Sequence, residues 1–102
     1  MSYAVRFTAG AEQDLLRLFD FLVEKDAPSA RRAYAAIAKG IGFLKLFPHS
    51  CRIADGSPAD NPLRELVIPF ANAGYVVLFE IENTDTVTIL AVRHQREDDY
   101  QP

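Results

Sequence analysis

A basic excess is missing from this sequence. Eleven lysines and arginines stand against 14 aspartates and glutamates, for a formal net charge of −3 and a pI near 5.2. Proteins that grip phosphate backbones draw most of their affinity from cationic surface and counterion release. The acidic balance therefore argues against a protein that lives on RNA or DNA, although a local basic patch remains compatible with it. Cysteine is also scarce. A single thiol, Cys51, excludes an internal disulfide framework and fits a reducing compartment. No apolar run reaches the length needed to span a bilayer. The stretch Met1-Ser2-Tyr3-Ala4-Val5-Arg6 has none of the apolar character of a signal peptide, so a cytoplasmic location is expected.

Recognisable catalytic signatures are absent as well. There is no phosphate-cradling glycine loop, no dinucleotide fingerprint and no serine nucleophile elbow. His49 and Cys51 lie two apart, but no second ligand pair accompanies them, and a structural zinc site needs four ligands. No metal and no cofactor are expected. Nothing in the spacing makes Cys51 a nucleophile in preference to an incidental or buried cysteine.

What is present is periodicity. The 102 residues are the length of one domain, expected to span 1–102, and 49% are hydrophobic. Tyr3, Val5 and Phe7 alternate with Ala4 and Arg6, which predicts a short half-buried strand. Thr8 offers a hydroxyl as a helix N-cap, and Glu12 and Asp14 fall near the positive end of the helix dipole. Ala11, Leu15, Leu18, Phe19 and Leu22 form one apolar face. The break at Lys25-Asp26-Ala27-Pro28-Ser29 gives Asp26 as the cap of a second helix, with proline tolerated in its first turn. Ala30, Ala33, Tyr34, Ile37, Ile41 and Leu44 form the stripe of that helix, Gly40 and Gly42 allow close approach, and Pro48 ends it. The two helices read as an antiparallel hairpin.

Residues 48–62, with Pro48, Gly56, Pro58 and Pro62, read as a loop. The pattern then switches to period two. Leu63 to Ile68 is a strand, Asn72-Ala73-Gly74 a turn, and Tyr75, Val77, Phe79 and Ile81 the inward side of a second strand. After a turn at Asn83-Thr84-Asp85, strict alternation places Val87, Ile89, Ala91 and Arg93 on one face of a third strand, and Thr88, Leu90, Val92 and His94 on the other. The segment from Gln95 to Pro102 is polar. The expected fold is α+β, in the order β-α-α-β-β-β, with the helical hairpin packed on an antiparallel meander.

Polar residues at the ends of apolar strands are the candidate functional surface. Arg64 opens the first meander strand, Arg93 and His94 close the last, and Arg96 follows. Cations gathered on rigid strands bind phosphate, carboxylate or acidic peptide, and a histidine beside them moves protons near neutral pH. The alternative is structural: Arg93 and Arg96 paired with Glu97, Asp98 and Asp99, and Arg64 with Glu65, in exposed ion pairs of small worth. Tyr75, in phase with Val77 and Phe79, is expected in the core. Tyr100 is a further candidate, set in a polar segment for which docking on the sheet, contact with a partner and disorder are the alternatives.

The layout resembles the RelE/ParE toxin superfamily over essentially the whole chain, and its ParE (plasmid-stabilisation) branch more closely. The carriers are Tyr3-Ala4-Val5-Arg6-Phe7-Thr8 leading into Ala11-Glu12-Gln13-Asp14-Leu15, the helix end at Phe47-Pro48, Arg64-Glu65-Leu66, Gly74-Tyr75-Val76-Val77-Leu78-Phe79, and Val87 to Glu97. Arg93-His94-Gln95-Arg96 after a strand is the most specific of them. The resemblance implies a toxin of a type II toxin–antitoxin system, bound and neutralised by a cognate antitoxin. ParE-like members inhibit DNA gyrase, whereas RelE-like members cleave mRNA in the ribosome with basic and acid–base side chains on the sheet. Arg64 matches a sheet arginine of both branches. Arg93 and His94 stand where RelE-like relatives place catalytic groups, so that in a nuclease Arg64 and Arg93 would stabilise the phosphate and His94 would transfer protons. The loop before the meander offers only Arg52 as a cation beside Asp55 and Asp60, and Glu97, Asp98 and Asp99 are acidic. These carboxylates repel RNA and favour the ParE reading, in which the protein binds and does not catalyse. A relative that retains antitoxin binding without toxicity is a third possibility.

Overall fold

The computed structural model describes residues 2–71 and 73–95. Strand β1 (Ala4–Phe7) leads into helices α1 (Ala9–Lys25) and α2 (Ala27–Leu46), a single 3-10 turn (Pro48–Ser50), and strands β2 (Arg52–Ile53), β3 (Arg64–Phe70), β4 (Ala73–Ile81) and β5 (Thr86–His94). The strands form one sheet in the order β1-β5-β4-β3-β2. β2 to β5 pair antiparallel, as a meander requires, while β1 lies parallel to β5, so the sheet is mixed. The helical hairpin between β1 and the meander is the long crossover that a parallel return needs.

Local chemistry starts and stops the helices. Thr8 accepts the Ala11 N–H on its side-chain oxygen at 3.1 Å, which makes it the N-cap of α1, a feature worth about 1 kcal/mol. Asp26 alone separates the helices. Its side chain makes no capping bond to the backbone of α2 and accepts instead from the Ser29 hydroxyl at 2.6 Å. The cap expected of Asp26 is therefore diverted to a neighbouring side chain. Pro28 sits in the first turn of α2, where the missing N–H costs nothing, and the helix ends at Leu46, ahead of Pro48.

The core lies between the hairpin and one face of the sheet. Ala11, Leu18, Ala33, Ile37 and Leu44 from the helices pack on Tyr75, Val77, Phe79, Val87, Ile89 and Val92. Gly40 permits the closest approach of α2, since a Cβ there would fall 2.5 Å from Ile68 Cδ1, whereas a Cβ on Gly42 would meet nothing within 4 Å. Tyr34, expected in the apolar stripe, is 63% exposed and rests its ring on Phe19 at 5.6 Å.

Three details depart from the expected pattern. The loop at 48–62 contains the short strand β2, whose Arg52 and Ile53 pair with Glu65 and Arg64. The turn expected at Asn72 to Gly74 falls earlier. Ala71 takes a left-handed φ of 54°, and Ala73 and Gly74 already belong to β4; Asn72 is outside the described residues. Strict alternation in β5 also breaks. Ala91 pairs with Leu78 but Ile89 pairs with Phe79, leaving Leu90 as the extra residue of a β-bulge. Beyond it the faces exchange, so that Val92 and His94 join Val87 and Ile89 on the helix side, and Ala91 and Arg93 turn to the open side.

Candidate functional site

The bulge decides where the candidate residues stand. His94 pairs with Tyr75 and Arg93 with Val76. Residues directly opposite on adjacent strands share a face. His94 therefore faces the hairpin with the buried Tyr75, and their rings meet edge to face at 5.5 Å. Arg93 is exposed on the opposite face of the sheet. Two adjacent residues read from the sequence as one site thus point to opposite sides.

Arg64 opens β3 in register with Phe79, hence on the helix side. Its Nη1 donates to the carbonyl oxygen of Cys51 at 2.8 Å and to that of His49 at 3.4 Å. The guanidinium thereby ties the 3-10 turn and the start of β2 to the sheet. The expected pairing of Arg64 with Glu65 does not form, because adjacent residues of a strand face opposite ways. Glu65 takes Arg52 instead, Nε to Oε1 at 3.0 Å across the β2–β3 ladder. Arg64 and His94 lie two inward-facing rows apart, about 13 Å along the strands. Arg96 and Tyr100 lie outside the described residues, as do Glu97, Asp98 and Asp99.

The open face of the sheet carries a shallow depression lined by Glu65, Val76, Leu78, Ala91 and Arg93. Its floor is aliphatic, with the Arg52–Glu65 ion pair at one margin and Arg93 at another. At the far end of this face Arg6 pairs with Glu82 at 3.7 Å, and Glu82 also accepts from the Thr88 hydroxyl. Sequence reasoning has Ala91 and Arg93 on one face of the last strand, as observed, but misses Glu65 and Leu78 as their companions. The in-phase spacing of Val76 and Leu78 was legible, but the phase of Ala91 and Arg93 depended on the bulge.

A second surface is apolar. Phe7, Phe19, Tyr34, Ile37 and Ile41 line a groove where β1 meets the two helices. Leu16 and Val23, exposed on α1, flank the groove-lining Phe19 on the helix surface, whereas exposed Phe21 falls on another side of the helix.

Cys51 is buried, and its burial pushes the thiol above the ordinary value, an effect that the nearby Arg64 charge opposes in part. A thiol so placed is a poor nucleophile at neutral pH. His49 lies on the edge of the Tyr3 ring at 6.3 Å. Among the described residues no three His, Cys, Asp or Glu side chains are grouped to hold a metal ion, and no helix is long and apolar enough to cross a membrane.

Comparison with known proteins bears on this arrangement. A family model described as the ParE toxin of the type II toxin–antitoxin system parDE matches residues 5–99. No curated protein matches the sequence. Among the solved structures that match is one of the chromosomal ParDE toxin–antitoxin system from P. aeruginosa, with a TM-score of 0.70 and 17% identity over 90% of this chain and 95% of that one. At that identity the likeness speaks for the fold.

Proposed function

The chain belongs to the ParE toxin family of type II toxin–antitoxin systems, and on that premise we propose that it is the toxin of such a pair, neutralised by a cognate antitoxin, and that when free it inhibits DNA gyrase by binding. It acts in the cytoplasm, as a single domain over residues 1–102. The observation that carries binding over cleavage is the separation of the candidate polar groups. RNA cleavage needs cations and an acid–base group around one phosphate. Here the Arg64 guanidinium is engaged by two backbone carbonyls, and Arg93 and His94 occupy opposite faces of the sheet. What the open face offers is an aliphatic floor bordered by Arg93 and the Arg52–Glu65 pair, which is the composition of a protein-binding surface.

The antitoxin reading draws on the other side of the molecule. Exposed Leu16, Val23 and Tyr34 and the groove beside them are apolar surface that a partner would cover. Segments that fold on binding commonly lay an amphipathic helix into such a groove. The two surfaces lie on opposite sides of the sheet.

Gyrase supercoiling with the purified protein tests the proposal, alone and with the product of the neighbouring gene. Inhibition relieved by that product is the expected result, and Arg93→Ala is expected to reduce inhibition by about tenfold or more, as loss of an arginine that anchors an interface does. A well-folded protein that leaves gyrase untouched defeats the gyrase reading. Cleavage of mRNA on translating ribosomes, lost in His94→Ala, would put a nuclease in its place.

A further inference from the structure

β1 ends at Phe7, opposite Ile89, while β5 continues to His94. Beyond Ile89 the side of β5 that β1 had covered would be left with unpaired backbone groups, a costly condition for a partly buried strand. The first turns of α1 take over. Thr8 donates its backbone N–H to the Ile89 carbonyl at 3.0 Å and its hydroxyl to the Leu90 carbonyl at 3.3 Å. One and a half helical turns further on, Asp14 Oδ2 accepts the Val92 N–H at 2.9 Å, while its Oδ1 faces Arg17 Nη2 at 3.4 Å. These contacts bracket the bulged Leu90 on both sides.

We infer that Asp14 is a positioning residue for the end of β5: its carboxylate takes the place of a missing strand and holds the bulged register that turns Arg93 to the open face and seats His94 against Tyr75. The argument rests on what the alternative register would do. Without the bulge, Leu90 pairs with Leu78, and each later residue moves one place along β4. Arg93 then stands opposite the fully buried Tyr75, and Val92 leaves the core for the open face. Burying the guanidinium in place of valine opposes that register. Asp14 adds a positive preference for the observed one, because a charged acceptor binds an N–H more strongly than a neutral one. The Arg17 contact is an i, i+3 pair on the helix surface and sets no register. In its bearing on activity the inference rests on the proposed role of Arg93, but its structural core does not.

Amide hydrogen exchange followed by NMR on the full chain tests it, with Asp14→Ala, Asp14→Asn and Arg17→Ala beside the natural sequence. In Asp14→Ala the Val92 amide is expected to exchange about tenfold faster, and the ring-current shifts and cross-peaks between His94 and Tyr75 to weaken, while the Val77 and Phe79 amides keep their protection. Asp14→Asn, which retains a side-chain oxygen, is expected to restore most of both signals, and Arg17→Ala to leave them unchanged. Unchanged Val92 protection in Asp14→Ala would overturn the inference. So would a loss spread evenly over Val77, Phe79 and Val92, which marks general destabilisation. These readouts hold whether or not the protein acts on gyrase. A natural-sequence protein without effect on supercoiling would defeat the proposed function and leave the Val92 amide to decide on Asp14.

Discussion

The two faces of the sheet are built from the same strands and obey different rules. On the helix side, Tyr75, Val77, Phe79, Val87, Ile89 and Val92 are nearly or wholly buried and share one core cluster with side chains of the hairpin. On the open side their immediate neighbours, Val76, Leu78 and Ala91, are only partly buried and lie among Arg52, Glu65 and Arg93. A residue on the first face is constrained by volume, because close-packed interiors tolerate neither voids nor added atoms. A residue on the second is constrained mainly by what meets it from outside. Stability is thus concentrated on one side, which leaves the other to vary with a partner.

Substitutions that cross between these faces should separate them sharply. Phe79→Ala, which empties a fully buried ring site, is expected to cost about 3–5 kcal/mol, and Leu78→Ala, one residue away on the open face, about 1 kcal/mol. Urea denaturation of both variants checks the contrast, and equal losses would erase it. Gly74→Ala is expected to follow at about 3 kcal/mol. Its Cβ would overlap the carbonyl oxygen of Ile68 and come within 3.2 Å of Pro69 Cα, and neither is the yielding tip of a side chain.

The two arginines sharpen the comparison further. Arg64→Ala removes hydrogen bonds from a charged donor to two carbonyls and is expected to cost about 2 kcal/mol, whereas Arg93→Ala on the exposed face should stay within about 0.5 kcal/mol. Gyrase inhibition should rank them the other way once both proteins are folded. A destabilised Arg93→Ala with full activity would make that residue structural and the open face an idle one.

The smallest effect concerns Cys51. A buried thiol whose folded-state pKa is raised stays protonated in the native protein, so its contribution to stability is complete below the ordinary value of 9.0 and is lost as pH climbs through the folded-state value. Melting temperatures should accordingly decline above about pH 9 more steeply than in Cys51→Ala. Iodoacetamide at pH 8 should label the native thiol at least about tenfold more slowly than the urea-unfolded one. Equal rates would place Cys51 at the surface.

Much of this was legible in the residues. Thr8 caps α1 as its hydroxyl and position imply, and the apolar stripe of α1 and the alternation of β4 lie on the core side as their spacing requires. These features depend on neighbours within a turn or two, so local sequence suffices. The other features turn mostly on distant partners. Asp26 is the local exception, its carboxylate taken by Ser29 three residues on, whereas Glu65 finds Arg52 across a strand where the sequence predicts loop. Arg64 stands out in the sequence as a cation at a strand end, but the carbonyls it binds belong to a segment more than a dozen residues earlier. Asp14 passed for a helix-dipole charge, and its partner Val92 lies 78 residues away.

The order of elements, the helical hairpin, the inward side of β4 and the kinship with ParE toxins can all be read along the chain. Each is written in periodicity, caps and short motifs that local sterics and burial translate directly. Which way the end of β5 faces is settled only in the folded molecule. One extra residue at Leu90 inverts the alternation, and whether a strand takes up such a residue depends on who satisfies its backbone on both sides. β4 does so on one side, and Thr8 and Asp14 of a helix at the other end of the chain do so on the other. That contact sends Arg93 outward and His94 inward, and no pattern within β5 could have announced it.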